Sequence, residues 1–285
     1  MKVLTIDIGG TFIKYALMTQ DAKILEKGKV PTPRSREEEV EAVGQIFDRH
    51  PADLVAVSMP GIIDTTTGYC SQGGALDFNV GFMIRDAIKE RCGVPVTVEN
   101  DAKCAAIAEA SVGALSDVND GFLLTLGTMI GGGYIKDRQL HKGIHFSAGE
   151  TAFIITDLDG DGSAPSVFGN KCSVNRLIQG YGSGEEFFAA FDAGDRNAAH
   201  ALDVYTHGLA VQIFNIQTVL DPEKFAIGGG ISARKEVIDC INRNLDKLYA
   251  NCPYHVPHAV VVPARYLNDA NLIGALQCAL KDTNR

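Results

Sequence analysis

No apolar run in the 285-residue chain approaches the roughly 18 residues that a membrane helix needs, so a helical membrane anchor is not expected. The opening residues, Met1-Lys2-Val3-Leu4-Thr5-Ile6-Asp7, reach an acid too early for a signal-peptide core and read as a first strand. Basic residues are in deficit: 26 Lys and Arg stand against 35 Asp and Glu, a formal net charge of −9. Nucleic acid or an anionic membrane surface is therefore not the expected partner. Seven cysteines are widely spread, with no C-x-x-C pair. That excludes the usual zinc spacings and fits reduced thiols in a cytoplasm better than a disulfide framework. No G-x-x-x-x-G-K-[ST] sequence occurs, which excludes a Walker-type phosphate loop. No low-complexity linker occurs either. At roughly 150 residues per domain the length suggests about two domains, with one large domain as the alternative, and any boundary near residue 115 must be a tight hinge.

Strand-like and helix-like segments alternate, the pattern of an α/β fold. Val3–Ile8 and Phe12–Met18 predict strands joined by Gly9-Gly10. Ser35, with Glu38 three residues on, is a capping box opening a helix whose inner face carries Val40, Val43, Ile46 and Phe47. Leu54–Met59 predicts a strand ending at Pro60-Gly61, Val80–Cys92 a helix, Pro95–Glu99 a strand and Asp101–Val112 an alanine-rich helix. The strand, glycine turn, strand pattern then restarts over Phe122–Leu126, Gly127–Gly133 and Tyr134–Lys136, a weak internal repeat that suggests a duplicated architecture. Residues 141–195 are loop-rich and carry no clear period. Beyond them come a long helix at Ala198–Leu220, a strand at Phe225–Ile227, a helix at Arg234–Tyr249, a strand at Ala259–Val262 and a last helix at Asn271–Leu280.

Five constellations stand out. In Asp7-Ile8-Gly9-Gly10-Thr11-Phe12-Ile13-Lys14, glycines between two strands let backbone N–H groups approach an anion, Thr11 and Lys14 add donors, and Asp7 at a strand tip suits a metal held through water. A plain hairpin turn explains the short pattern about as well. Leu124-Thr125-Leu126-Gly127-Thr128-Met129-Ile130-Gly131-Gly132-Gly133 repeats the device, and two copies are harder to explain as turns alone. Phe225-Ala226-Ile227-Gly228-Gly229-Gly230 runs a strand into glycines before a helix, a corner against which a flat ring can lie. Glu99-Asn100-Asp101 arrives at a strand's C-terminal end, where open α/β sheets bind ligands. A carboxylate there can take a proton from a hydroxyl, although an isolated E-N-D more often caps a helix. Glu150, between small residues in Ser147-Ala148-Gly149-Glu150, can offer two oxygens to vicinal hydroxyls or be a solvated loop acid.

In this order the motifs resemble the ROK family of sugar kinases and repressors, within the actin-like ATPase superfamily. The resemblance implies a two-lobed, ribonuclease H-like duplicated α/β fold with its active site in the cleft. Residues 1–115 would form the smaller lobe, with a C-terminal helix in 269–285 packing back on it, and 116–268 the larger. It implies that Gly9, Gly10, Thr11, Lys14, Thr128, Gly131 and Gly132 bind ATP phosphates and that Gly228, Gly229 and Gly230 lie on the adenosine side. Asp101 would be the catalytic base, and Asn100, Glu150, Gly61 and Gly74 would line the sugar site. Mg2+ would sit by Asp7, in a cytoplasmic homodimer.

The departures shape the expected substrate. Many members read G-E-x-G-H with a zinc-ligand histidine, then a C-x-C-G-x-x-G-C loop. Here Phe153 occupies the histidine slot and Cys172 is alone in the following loop, so no zinc site is expected. Met129 replaces a common glycine. Gly73-Gly74-Ala75-Leu76-Asp77-Phe78 lacks the family's asparagine-proline sugar loop and looks like the zinc-free subset that includes β-glucoside kinases. A hexose or glycoside is the expected acceptor, with glucose or an N-acylhexosamine as alternatives. A sugar-sensing or sugar-binding protein without kinase activity is the rival from another class; the family's repressors carry a helix-turn-helix ahead of the first strand, and here that strand starts at Val3. Asp157-x-Asp159-x-Asp161-Gly162 begins like a calcium loop, but Phe168 stands where its closing Glu belongs. His141 and His145 have no acid at metal spacing. Both read as loop residues.

Overall fold

A computed structural model describes residues 1–266 and 269–283. The chain forms two compact units: Met1–Ser111, Lys142–Ala148 and Asp269–Arg285 in one, Val112–His141 and Gly149–Asn268 in the other.

The first unit is built on a five-stranded sheet of β1 (Lys2–Ile8), β2 (Phe12–Thr19), β3 (Ile24–Pro31), β4 (Leu54–Met59) and β8, which lies beyond three short strands. Helix α1 (Arg36–Arg49) precedes β4, and Ser35 caps it by accepting from the Glu38 N–H, as its capping box predicts. The short strands β5 (Ile62–Asp64), β6 (Tyr69–Gln72) and β7 (Phe82–Met83) form a small antiparallel sheet of their own. Helix α2 (Ile84–Cys92) stops at Gly93, which takes the left-handed conformation that glycine adopts without a Cβ penalty. Strand β8 (Val96–Asn100) then runs directly into α3 (Asp101–Val112). The sheet order is β3-β2-β1-β4-β8, antiparallel through β1–β3 and parallel from β1 through β4 to β8. All six residues of β4 are buried and all but Ser58 are apolar, as a strand covered on both faces requires. Leu4, Ile6, Val55, Val57 and Ile46 pack in its core.

The second unit repeats the plan. Strands β9 (Gly121–Leu126), β10 (Ile130–Lys136) and β11 (Gln139–Leu140) form the antiparallel part. The short helices α4 (Phe168–Lys171) and α5 (Val174–Leu177), then α6 (Gly184–Asp192) and α7 (Arg196–Leu220), lead to β12 (Lys224–Gly228). Helix α8 (Lys235–Asn251) and β13 (Val261–Pro263) complete it, and α9 (Ala270–Thr283) returns to the first unit. The sheet order β11-β10-β9-β12-β13 matches that of the first unit strand for strand. This is the duplicated, actin-like α/β fold.

Three sequence expectations need correction. The helix predicted from Val80 starts at Ile84, because residues 80–83 turn and then enter β7. Strand β3 and the β5–β6–β7 sheet were not anticipated. The loop-rich stretch 141–195 contains α4, α5 and α6. All seven cysteines are free thiols.

Candidate active site

Parallel pairing sets the chemistry of the first unit at one sheet edge. Asp7 of β1 lies in register with Ser58 of β4, and Ser58 with Glu99 of β8; one step further, Met59 pairs with Asn100. All of these are buried. Ser58 Oγ donates to Asp7 Oδ1 at 3.3 Å and Asn271 Nδ2, from the first turn of α9, donates to the same oxygen at 3.0 Å. Asp7 Oδ2 has Lys14 Nζ at 3.7 Å. One carboxylate oxygen is therefore held by two donors while the other faces a single distant cation. That donor set fits a hydrated Mg2+, which takes few protein carboxylates and keeps its waters.

Asn100 and Asp101 divide the work at the start of α3. Asn100 Oδ1 accepts from the Lys103 N–H at 3.0 Å and its Nδ2 donates to the Gly61 carbonyl at 2.9 Å. Asn100 is thus the helix cap and also ties the strand end to the Pro60-Gly61 bend. Asp101 shares that duty through one oxygen: its Oδ1 accepts from the adjacent Ala102 N–H, another first-turn donor of α3, at 2.8 Å. Burial, and then the Asp7 carboxylate, push Asp101 up to about 6.

The loops above this edge close on one another. Gly9 N–H donates to the Phe12 carbonyl at 3.0 Å, Thr32 Oγ1 to the Gly9 carbonyl at 2.6 Å and Arg34 to the Gly10 carbonyl at 3.2 Å. Those bonds turn the carbonyls of the Gly9–Thr11 turn onto protein donors. A Cβ on Gly10 would stand 3.3 Å from that of Ala75, so the first glycine turn abuts the 73–78 loop. Gly61 has φ +108, and a Cβ there would lie 1.9 Å from the Gln72 carbonyl oxygen; Gly74 packs on Pro60. Gly61, Gly74, Asn100 and Asp101 are therefore neighbours, as are Gly9, Gly10, Thr11, Lys14 and Asp7.

Lysines that the sequence did not single out brace the same edge. Lys142 Nζ pairs with Glu99 Oε2 at 2.7 Å and donates to Thr65 Oγ1 at 2.9 Å, and the buried Lys103 ammonium donates to the Phe146 carbonyl. Residues 142–148 are fastened to the first unit by these bonds. Ser58, Lys103, Lys142 and Asn271 escaped sequence reasoning because none belongs to a glycine or acid motif. Only the pairing register and tertiary packing bring them in.

In the second unit the two remaining glycine motifs meet. Gly228 pairs with Thr125 across the parallel β9–β12 ladder, and Gly229, at φ +93, would place a Cβ 2.1 Å from the Leu126 carbonyl oxygen. Gly230 has open space where a side chain would stand, room against which a flat ring can lie. Thr128 and Met129 are exposed in the β9–β10 turn. Gly131 lies in β10 opposite Thr125. Gly132 is in tight contact with the loop that carries Glu150: its Cβ would come within 2.3 Å of the Gly149 carbonyl oxygen. Phe153, in the histidine slot, is 45% exposed. In the acidic loop, Asp157 pairs with Lys171 and Asp161 Oδ1 accepts from the Ser163 N–H at 2.9 Å. Among the described residues no group of three or more His, Cys, Asp or Glu is arranged to hold a metal.

The chain as a whole is similar to known proteins. A β-glucoside kinase from Klebsiella pneumoniae is 31% identical over 291 residues, covering 97% of this chain and 95% of the relative. A ROK family protein from Streptococcus pneumoniae, solved in complex with sucrose, is 28% identical with a TM-score of 0.88 over 100% of this chain and 99% of that one. A ROK family glucokinase from Streptomyces griseus, solved with glucose and AMPPNP, is 26% identical with a TM-score of 0.85 over 99% and 100% of the two chains. The ROK family model matches residues 3–282, and the chain belongs to that family.

Proposed function

We propose that this chain is an ATP-dependent sugar kinase that phosphorylates a hydroxyl of a hexose or glycoside, with Asp101 as general base. The observation that carries the assignment is Asp101 itself. It stands at the C-terminal end of parallel strands, beside Asn100, which accepts the Lys103 N–H of the same helix start, and has its carboxyl pushed up to about 6. A base is most effective when its pKa lies near the working pH. Asp101 takes the proton of the acceptor hydroxyl as that oxygen attacks the γ-phosphoryl group of ATP in line. The bond to the β-phosphate bridging oxygen breaks and ADP leaves.

Backbone N–H groups of the Gly9–Thr11 turn, the Lys14 ammonium and the Thr128 turn hold phosphate oxygens, and Gly228–Gly230 border the adenosine. Asp7 would hold Mg2+ through water; bound there, the ion neutralises phosphate charge. Asn100, Gly61, Gly74 and Glu150 face the acceptor. The curated relatives support a β-glucoside or hexose acceptor, and they favour catalysis over sugar sensing. The unit of Met1–Ser111, Lys142–Ala148 and Asp269–Arg285 acts as the smaller lobe and that of Val112–His141 and Gly149–Asn268 as the larger, in a cytoplasmic homodimer. A coupled ADP-release assay against hexoses, N-acylhexosamines and phenyl glycosides tests the reading. Turnover dependent on a sugar supports it, and ATP hydrolysis indifferent to every sugar overturns it.

A further inference from the structure

The loop that carries Gly74 is fastened to α1 by two sets of polar contacts, a half-buried arginine and a fully buried acid–amide pair. Arg36 donates to the carbonyls of Phe78 and of Val80, the latter at 2.7 Å. One helical turn on, Glu39 Oε1 accepts from Asn79 Nδ2 at 2.8 Å. Both side chains are fully buried, at 0% exposure. Two acceptors in this pair have no partner, Glu39 Oε2 and Asn79 Oδ1. Leaving one buried acceptor unmatched is costly, and two in one contact is a conflict that a single proton removes. A carboxylic acid and a primary amide present complementary edges: the amide N–H meets the acid carbonyl, and the acid O–H meets the amide carbonyl.

We propose that Glu39 is a positioning residue held as the neutral acid, closing a two-bond ring with Asn79 that pins the 73–80 loop to α1. The inference rests on the reading that this loop meets the acceptor sugar. It does not require Glu39 to touch substrate.

Electrostatics agree with the geometry. Burial pushes Glu39 up to about 7, with the Asn79 bond opposing. The charged and titratable groups around it offer no competing counter-ion. On α1 itself, the Arg36 guanidinium is engaged by the loop carbonyls. On β6, the Cys70 thiol is pushed up to about 11, chiefly by burial and in part by Glu39. On α2, Arg91 is paired with Glu41 and Asp48. Asp77, in the loop, is exposed. Raising the pH removes the proton, breaks the O–H bond of the ring and leaves a buried carboxylate facing an amide oxygen. The loop then opens more often.

Glu39→Gln supplies the control, because its amide reproduces the donor and acceptor of the neutral acid but cannot titrate. Infrared difference spectra of the whole protein should show a protonated-carboxyl band that titrates near neutral pH and is missing from Glu39→Gln. Hydrogen exchange at the Asn79 and Val80 amides of the wild type should accelerate relative to Glu39→Gln by about tenfold between about pH 6 and about pH 8.5. Absence of that band, or exchange that keeps the same ratio between the two proteins across that range, overturns the proposal. Sugar KM separates this inference from the functional reading beneath it. A KM that rises with pH in the wild type and not in Glu39→Gln supports both. A flat KM beside a titrating band and accelerating exchange supports the clamp and overturns the sugar-contact role of the loop.

Discussion

At the scale of single residues, adjacent side chains that look interchangeable in Glu99-Asn100-Asp101 are assigned different work by their hydrogen bonds. Asn100 caps α3 and Glu99 is paired with Lys142. Asp101 is left as the residue whose ionisation is costly and therefore useful. Its raised pKa has two consequences. The free enzyme needs Asp101 deprotonated, so kcat/KM should fall about tenfold per pH unit below about 6 and level off above it. A pH profile flat down to about 4.5 would contradict this. The folded-state pKa also lies above the ordinary carboxylate value of 3.8, so ionising Asp101 destabilises the fold as pH rises through that window. Asp101→Asn keeps an oxygen for the Ala102 N–H and removes the charge. It should therefore raise the thermal midpoint at neutral pH, measured by scanning calorimetry, while impairing activity. A lowered midpoint would mean the carboxylate is a structural support.

At the scale of elements, glycines separate into those that make room for ligand and those that make room for protein. A Cβ at Gly10 meets only the Ala75 side chain at 3.3 Å, whereas at Gly132 it meets the Gly149 carbonyl oxygen at 2.3 Å. Gly10→Val should fold and raise the KM for ATP sharply; an unchanged KM would remove that turn from the phosphate site. Gly132→Val should fail to fold locally and is the wrong probe of phosphate binding. Helix α9 meets α3 where Gly274 lies against Cys104, a Cβ there falling 1.8 Å from the Cys104 carbonyl oxygen. Gly274→Ala must push α9 away, costing about 1–3 kcal/mol by overpacking, and it loosens Asn271 from Asp7. A lower thermal midpoint together with a lower kcat is expected, and unchanged values for both would show that α9 does not support Asp7. The sequence announced the glycine turns, because a backbone that must bend or approach closely leaves glycine in the text. It announced neither Asn271 nor Lys142. Each works across long sequence separation, through packing that leaves no local period.

At the scale of the molecule, the duplication was visible as two strand, glycine-turn, strand openings, and the sheets confirm it in the orders β3-β2-β1-β4-β8 and β11-β10-β9-β12-β13. The small β5–β6–β7 sheet and helices α4–α6 were not legible, because their elements are two to nine residues long and tertiary contacts outweigh propensity in such pieces. Whole-chain stability should also carry the mark of Glu39. Its ordinary pKa is 4.5 and its folded one about 7, so stability is full below the lower value and falls as pH rises, by about 3 kcal/mol at most. Urea unfolding of the first unit should show that slope in the wild type and lose it in Glu39→Gln. The central claim, that Asp101 is the base of a sugar kinase, is tested most directly by kcat and sugar affinity of folded Asp101→Asn. The account predicts kcat lower by about 10²–10⁴-fold with sugar and ATP affinities little changed, and a kcat within about threefold of the wild type would contradict it.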